Sequence, residues 1–380
     1  MKNTLLEQLI AIKSYSGGET DLKHFIAGWF EKKGIKTIGQ GDNLLVHFEG
    51  KNNEKAFIFN SHMDTVSAGD ESMWTYGPWK PTLVDGKLIG LGSSDMKSGL
   101  AASMLTCVEF FKNKPPIDLW FTFVVKEEQD GSGTKDFVEW FEKKGYSKKY
   151  SELAAIFTEP TNLYDIEHGH RGNLFINATT IGESGHASRP SSNKVHAVKR
   201  MIKFSEVLEK QMQKWQKEYK NDVFDPPTVG LFTSIYAGIE NEGGKLKVES
   251  PNKFPANCKA TFDIRTIPGF HEVALEKISA LGKKMGVIVG LEFPAGPSGY
   301  TDSHDNLIKV TENVLGEYKL SVSQGSADLG FLTQVGVKGV TLGPGDKSQS
   351  HQVNESCDPS MVNKAVKIYS QIVAKWGKES

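Results

Sequence analysis

Through the first 170 residues, short apolar runs alternate with stretches patterned at helical spacing. "KAFIFNS" (55–61), "DLWFTFVVKEE" (118–128) and "LAAIFTEPT" (153–161) are rich in Phe, Ile, Val and Ala, and each ends in polar residues. That pattern predicts buried strands. Between the first two, "KSGLAASMLTCVEFFKNK" repeats small and apolar residues at helical spacing until "KPP" stops it. Strands alternating with helices predict an α/β sheet layered by helices. The opening "MKNTLLEQLIAIKSYSGGE" reads as an amphipathic helix that ends near Ser16-Gly17-Gly18.

From about Gly172 the texture changes. "NLFINATTIG" alternates like a half-exposed strand, and a long helix follows. Val195, Val198, Met201, Ile202, Ser205, Leu208, Met212 and Trp215 are expected to trace its buried face. Next come "TVGLFTSIYAG", "NCKATFDIRT", a shorter helix around Val273–Met285, and "VIVGLEF". Strand–helix–strand–strand–helix–strand is the order of a ferredoxin-like α+β layer. After "PAGPSGYT" the α/β texture returns, with helices near Asp305–Leu315 and Ala327–Val335, a strand "VKGVTLG", and a closing helix from Ser360. The expected organisation is one α/β domain in two parts, residues 1–171 and 297–380, interrupted by an inserted α+β domain over 172–296.

Composition adds exclusions. At 380 residues the chain exceeds one ordinary hydrophobic core. A net charge of −1 supplies no basic field for nucleic acid and no polybasic anchor for a membrane. Three widely spaced cysteines, Cys107, Cys258 and Cys357, do not suggest a disulfide framework. Glu7 and Lys13 interrupt the N-terminal apolar positions, and no stretch reads as a membrane span, so a cytoplasmic protein is expected.

The side chains able to hold metal fall at predicted strand ends. His62 and Asp64 follow "AFIFN", Glu127 and Glu128 follow "LWFTFVV", and Glu159 follows "LAAIF". His351 lies in the loop after "GVTL", and Asp95 stands before the helix near Lys97, where it could also serve as an N-cap. In open α/β sheets the loops beyond the carboxyl ends of strands converge on one crevice, so residues far apart in sequence can meet there. Two imidazoles with three carboxylates form a nitrogen/oxygen set without thiolate, suited to zinc, cobalt or manganese. Five ligands exceed one tetrahedral zinc with an open position, but they suit two ions if a carboxylate bridges.

"SHMDTV", "DGKLIGLGSSDMKSGLAA", "KEEQDGSGT", "TEPT" and "SHQVNE" occur in the order and rough spacing of the co-catalytic zinc aminoacylase family. That group includes succinyl-diaminopimelate desuccinylase, acetylornithine deacetylase and glutamate carboxypeptidase, and the chain resembles it over nearly its whole length. The resemblance implies a zinc-peptidase-like domain, with helices on both faces of a mixed sheet, interrupted by a ferredoxin-like lid that dimerises. It implies that His62 and Glu159 bind one metal, Glu128 and His351 the other, and Asp95 bridges. Glu127 would be the general base and acid, and Asp64 would hold the His62 imidazole. "GESGHASRP" resembles the segment whose histidine stabilises the oxyanion, which points to His186. Asn257 and Arg265 match substrate-holding positions. "QGSADLGFL" resembles a loop near the pocket, so Gly325 and Ser326 are further candidates. The implied cofactor is a pair of divalent ions, zinc first and cobalt or manganese as alternatives.

The chain departs from the family at Gly90-Leu91-Gly92, where relatives often carry Gly-Arg-Gly, and at Ser326-Ala327-Asp328 in place of Thr-Ser-Asp. His168 and His170 in "EHGHRG" read as structural or hinge residues. "GLGSSD" has an aspartate where a dinucleotide fingerprint needs glycine. The resemblance implies amide hydrolysis and does not separate two substrate classes: an N-acyl amino acid, the expectation on size and motif style, and as the alternative a di- or tripeptide or a C-terminal glutamate conjugate. A non-catalytic binding protein on the same scaffold is the distant alternative.

Overall fold

The structure is a computed structural model that describes residues 4–188, 195–224, 226, 228–240, 246–247 and 250–378. The chain forms two compact units. One comprises Met1–His170, Gly299–Ser323 and Ala327–Ser380; the other comprises Arg171–Ser298 and Gln324–Ser326.

In the first unit a nine-stranded mixed sheet runs Ile38–Gln40, Asn43–Phe48, Ile117–Val124, Asn52–His62, Glu152–Phe157, Lys338–Thr341, Asp165–His170 and Gly299–Tyr300, with Lys319–Ser323 also pairing with Asp165–His170. Its centre is parallel: Asn52–His62 lies between Ile117–Val124 and Glu152–Phe157, and Lys338–Thr341 extends the array. Strand periodicity separates two cores. Phe57, Phe59, Leu119, Phe121 and Phe123 pack on one face, while Ala56, Ile58 and Trp120 pack on the other. The register sets Phe59 opposite Phe121, whose rings stack with centroids 4.9 Å apart. The first face is covered by the helices Leu5–Ile10, Thr20–Glu31, Lys97–Lys112, Asn306–Leu315 and Ser360–Trp376; the second by Ser132–Lys143 and Leu329–Thr333. This is the expected sheet with helices on both faces.

Glycine sets how close the Lys97 helix comes to the sheet. A Cβ at Gly99 would lie 1.8 Å from the Thr158 carbonyl oxygen, so only glycine allows this approach. The helix start is thereby held against the end of the Glu152–Phe157 strand. That helix carries no side-chain cap, since its N-cap is Met96 and makes none. Asp95 therefore does not serve as the cap that its position suggested.

The second unit has the strands Gly172–Ile181, Val229–Glu240, Asn257–Thr266 and Val287–Leu291, all antiparallel, in the order 229–240, 257–266, 172–181, 287–291. This is the ferredoxin-like arrangement. Leu174, Ile176 and Ala178 are buried opposite Ile264, Phe262 and Ala260, beneath the helices Ala197–Glu218 and His271–Met285.

Three sequence expectations need correction. The first helix is only Leu5–Ile10, and Tyr15 instead bridges to Thr65. Ile202 is half exposed, and Phe204 takes the buried position, because a turn of 3.6 residues carries 201, 204, 208, 212 and 215 round to one stripe. The helix expected over Ala327–Val335 spans only Leu329–Thr333. All three cysteines are buried and unpaired. Among the described residues no helix is long and apolar enough to cross a membrane.

Candidate metal centre

The strand Asn52–His62 ends at His62, an imidazole only 1 % exposed. Its Nδ1 lies 3.0 Å from the Asp64 carbonyl oxygen and 3.4 Å from the Asp64 carboxylate. Both are acceptors, so the ring proton belongs on Nδ1 and the lone pair on Nε2. Nε2 is buried with no hydrogen-bond partner among the described residues, 3.3 Å from Glu159 and 3.4 Å from Asp95. His351, on a turn with φ of 63°, brings its Nε2 to 2.9 Å from Glu128 and 3.7 Å from Asp95.

Two groups of possible ligands result: His62, Asp95 and Glu159, and Asp95, Glu128 and His351, each with donor atoms within 4.8 Å of one another. Asp95 is common to both. Of the sequence-derived ligand candidates, all five are thus brought together within the first unit.

Asp64 makes a wider set of contacts than the expected support of one imidazole. Its carboxylate accepts the backbone N–H groups of Glu127 and Glu128, each at 3.1 Å, and the Ser16 hydroxyl at 2.6 Å. The same side chain therefore fixes the His62 strand end to the turn that carries Glu127 and Glu128. Glu19 accepts the Lys126 N–H at 3.0 Å and braces that turn from the other side. Asp328 is buried, and its Oδ2 accepts the Thr134 hydroxyl at 2.6 Å.

The electrostatics follow from crowding acids in a desolvated crevice. Burial, together with Glu159 nearby, holds the Glu127 carboxyl well above its ordinary value. Burial raises Glu159 to about 7, against the pull of His62 and with the push of Asp95. Burial and Asp95 raise Glu128. Asp328 reaches about 7 by burial, opposed by its bond from Thr134. For Asp95, burial is outweighed by His62 and His351, and its carboxyl is lowered. Burial favours neutral His62, but the carboxylates of Glu159, Asp64 and Asp95 around it prevail and raise it well above 6.5. The bond to Glu128 lifts His351 to about 9.

These residues fit a pair of divalent cations. The donor set is imidazole and carboxylate, one carboxylate belongs to both groups, and a buried imidazole nitrogen points among acids without a hydrogen bond. The charge balance agrees, since clustered carboxylates that raise one another are relieved by a cation as well as by a proton.

Other sequence candidates lie in the second unit. Arg265 pairs with Asp263: Nη2 donates to Oδ2 at 2.9 Å, and Nε lies 2.8 Å from Oδ1 without hydrogen-bond geometry. His186 is exposed on the short strand Gly185–His186, and the Ser188 N–H donates to its Nδ1 at 3.2 Å. The last two residues of its segment, Arg189 and Pro190, lie outside the described residues. Asn257 begins the strand Asn257–Thr266, and Gly325 and Ser326 belong to the short stretch that joins this unit. His168 and His170, in the first unit, are hydrogen-bonded to Thr301 and Gly330. Sequence reasoning assigned no role to Glu355, Ser16 or Glu19, which hold the site's loops. Glu355 and Glu19 accept backbone N–H groups and Ser16 donates to the Asp64 carboxylate, contacts between distant segments that no spacing rule reports.

Comparison with known proteins follows the same lines. Residues 58–375 match the model of peptidase family M20/M25/M40. A curated succinyl-diaminopimelate desuccinylase of Psychromonas ingrahamii is 27% identical, over 98% of this chain and 97% of that protein. An M20 family metallo-carboxypeptidase of Sulfolobus solfataricus superposes with a TM-score of 0.78 at 17% identity, covering 98% of each chain. A Bacillus subtilis protein described as a dinuclear metal-binding peptidase of family M20 superposes with a TM-score of 0.70 at 13% identity, over 98% of this chain and 97% of that one.

Proposed function

The chain belongs to peptidase family M20/M25/M40 and is a hydrolase of amide bonds, from which we propose that it is a two-metal amidohydrolase releasing an amino acid from its N-acyl derivative. The observation that carries this reading is the pair of ligand groups sharing Asp95. His62 and Glu159 would hold one ion, Glu128 and His351 the other, and Asp95 both; zinc is the expected metal. When bound there, the two ions supply Lewis acidity and lower the pKa of water.

The residues of the chain divide the remaining work. Glu127, whose carboxyl is raised by burial and by Glu159, is suited to take a proton from the attacking water and pass it to the leaving amine. Asp64 keeps that glutamate in place through its backbone N–H and holds the imidazole of His62. His186 is proposed as the donor to the developing oxyanion, contributed within a homodimer formed through the second unit. Its Nδ1 accepts from the Ser188 N–H, which favours the ring proton on Nε2, the nitrogen that lies 3.4 Å from the Asn252 side-chain amide. Asn257, Gly325 and Ser326 are proposed to contact substrate. Arg265 is proposed as the partner of a substrate carboxylate, a role it would share with Asp263. The desuccinylase relative supports an acyl-amino acid over a peptide as substrate.

Glu127→Gln in zinc-loaded protein tests the reading. Hydrolysis of N-succinyl and N-acetyl amino acids, followed by amine release beside a dipeptide panel, is expected to fall by roughly 10²–10⁴ with metal content unchanged. Activity near that of the unmodified enzyme would remove Glu127 from its role, and turnover of dipeptides alone would replace the substrate class.

A further inference from the structure

Glu355 is a charged-type side chain with 1 % exposure, four residues beyond His351 and outside both ligand groups. Its carboxylate accepts three backbone N–H groups from one short loop: Gly92 on Oε2 at 2.8 Å, and Ser94 and Asp95 on Oε1 at 2.7 and 2.8 Å. Its own carbonyl accepts the Gly90 N–H at 2.9 Å. The loop is anchored again by Ser94, whose hydroxyl donates to the Asp346 carbonyl at 2.9 Å and accepts the Asp346 N–H at 2.8 Å.

Every group in this cradle belongs either to the Asp95 loop or to the segment that carries His351. A buried carboxylate that receives three N–H bonds fixes the position of the chain that donates them, because each bond constrains a different peptide plane. Losing one acceptor would leave a buried N–H unpaired, which the fold resists. Asp95 is the one residue common to both ligand groups, so the placement of its carboxylate controls both at once.

We infer that Glu355 is a positioning residue that seats the Asp95 carboxylate between the two ligand groups and couples it to the segment bearing His351. This rests on the two-metal reading above. Glu355 itself touches neither substrate nor metal in this assignment.

The test is zinc titration of the full-length, metal-stripped protein against a chromophoric chelator, with cobalt(II) absorption as a second readout. The unmodified protein, Glu355→Gln and Glu355→Asp are compared. Glutamine turns one acceptor into an N–H₂ group facing an N–H donor; aspartate keeps both carboxyl oxygens but is one methylene too short. The unmodified protein is expected to take up two equivalents. Both variants are expected to bind the second equivalent at least about 10-fold more weakly and to show an altered cobalt spectrum, in the range that supporting residues of metal sites contribute. Two equivalents bound with unchanged affinity and spectrum in either folded variant, even with a lowered melting temperature, would overturn the inference and leave the two-metal reading standing. Fewer than two equivalents in the unmodified protein would overturn the two-metal reading itself, and this inference with it. Glu355→Asp keeps the question answerable if Glu355→Gln does not fold.

Discussion

Asp64→Asn removes a charge and one acceptor from the most connected side chain of the site. In the native arrangement Oδ2 accepts from Ser16 and the Glu128 N–H, while Oδ1 accepts from the Glu127 N–H and faces the His62 ring. Asparagine can keep one of these oxygens. If it keeps the oxygen facing Ser16 and Glu128, its N–H₂ group faces the Glu127 N–H, and a part-buried donor loses its partner. That loss costs about 1–3 kcal/mol, and weakening the retained bonds from charged to neutral adds about 1 kcal/mol more. Urea unfolding of the metal-stripped protein at pH 7 should therefore show a destabilisation of roughly 2–4 kcal/mol. The pH dependence has a definite sign. The folded-state pKa of Asp64 is below 3.8, chiefly through His62 and Ser16 against the opposing effect of burial, so its contribution is present above 3.8. It is lost as pH falls through the folded value, and the gap between variant and parent should close in acid. Loaded with zinc, the variant should also lose roughly 10–100-fold in kcat/KM, because Glu127 and Glu128 are released from their tether together. Wild-type stability with wild-type kcat/KM would refute the argument that Asp64 fixes this turn.

Two further outcomes test the scaffold around the site. Gly99→Ala places a Cβ 1.8 Å from a backbone carbonyl that cannot turn aside, so the Lys97 helix must shift from the sheet. The expected loss is about 3 kcal/mol or more by urea midpoint, at the upper end of overpacking effects, and an unchanged midpoint would refute the close approach. His47 stacks on Trp120 at 4.0 Å, and its pKa is lowered from 6.5 first by burial, with Asp118 opposing and Lys149 assisting. The unfolded chain then binds the extra proton more readily, so His47 contributes fully above pH 6.5 and its contribution falls as pH drops through that value. His47→Phe should reduce the loss of stability between pH 7.5 and 5.5, by at most about 1.4 kcal/mol per pH unit over the titration range. An identical slope in both proteins would rule out a half-buried His47 whose pKa is lowered.

Much of the first unit was legible because its signals are local. The apolar runs "AFIF" and "LWFTF" mark strands buried on both faces, and strand geometry then puts Phe57, Phe59, Leu119 and Phe121 in one core. The helix Ala197–Glu218 was equally visible, but its stripe was misread at Ile202, where an apolar residue simply faces outward. The first helix was drawn too long because apolar spacing alone does not report the bridge between Tyr15 and Thr65, residues fifty apart in the chain.

For the site, the sequence by itself determined the inventory: imidazoles and carboxylates at strand ends, on an α/β framework whose loops converge. The family resemblance already implied Asp95 as the shared ligand; only the tertiary structure decided that Asp64 grips two peptide N–H groups of a distant turn. It likewise decided that Arg265 pairs with Asp263 and that Glu355 holds the Asp95 loop. Periodicity carries the direction of a side chain relative to its own strand or helix. Which oxygen meets which N–H depends on strand register and on how near a helix can come, and here Gly99 sets that distance through an atom it lacks.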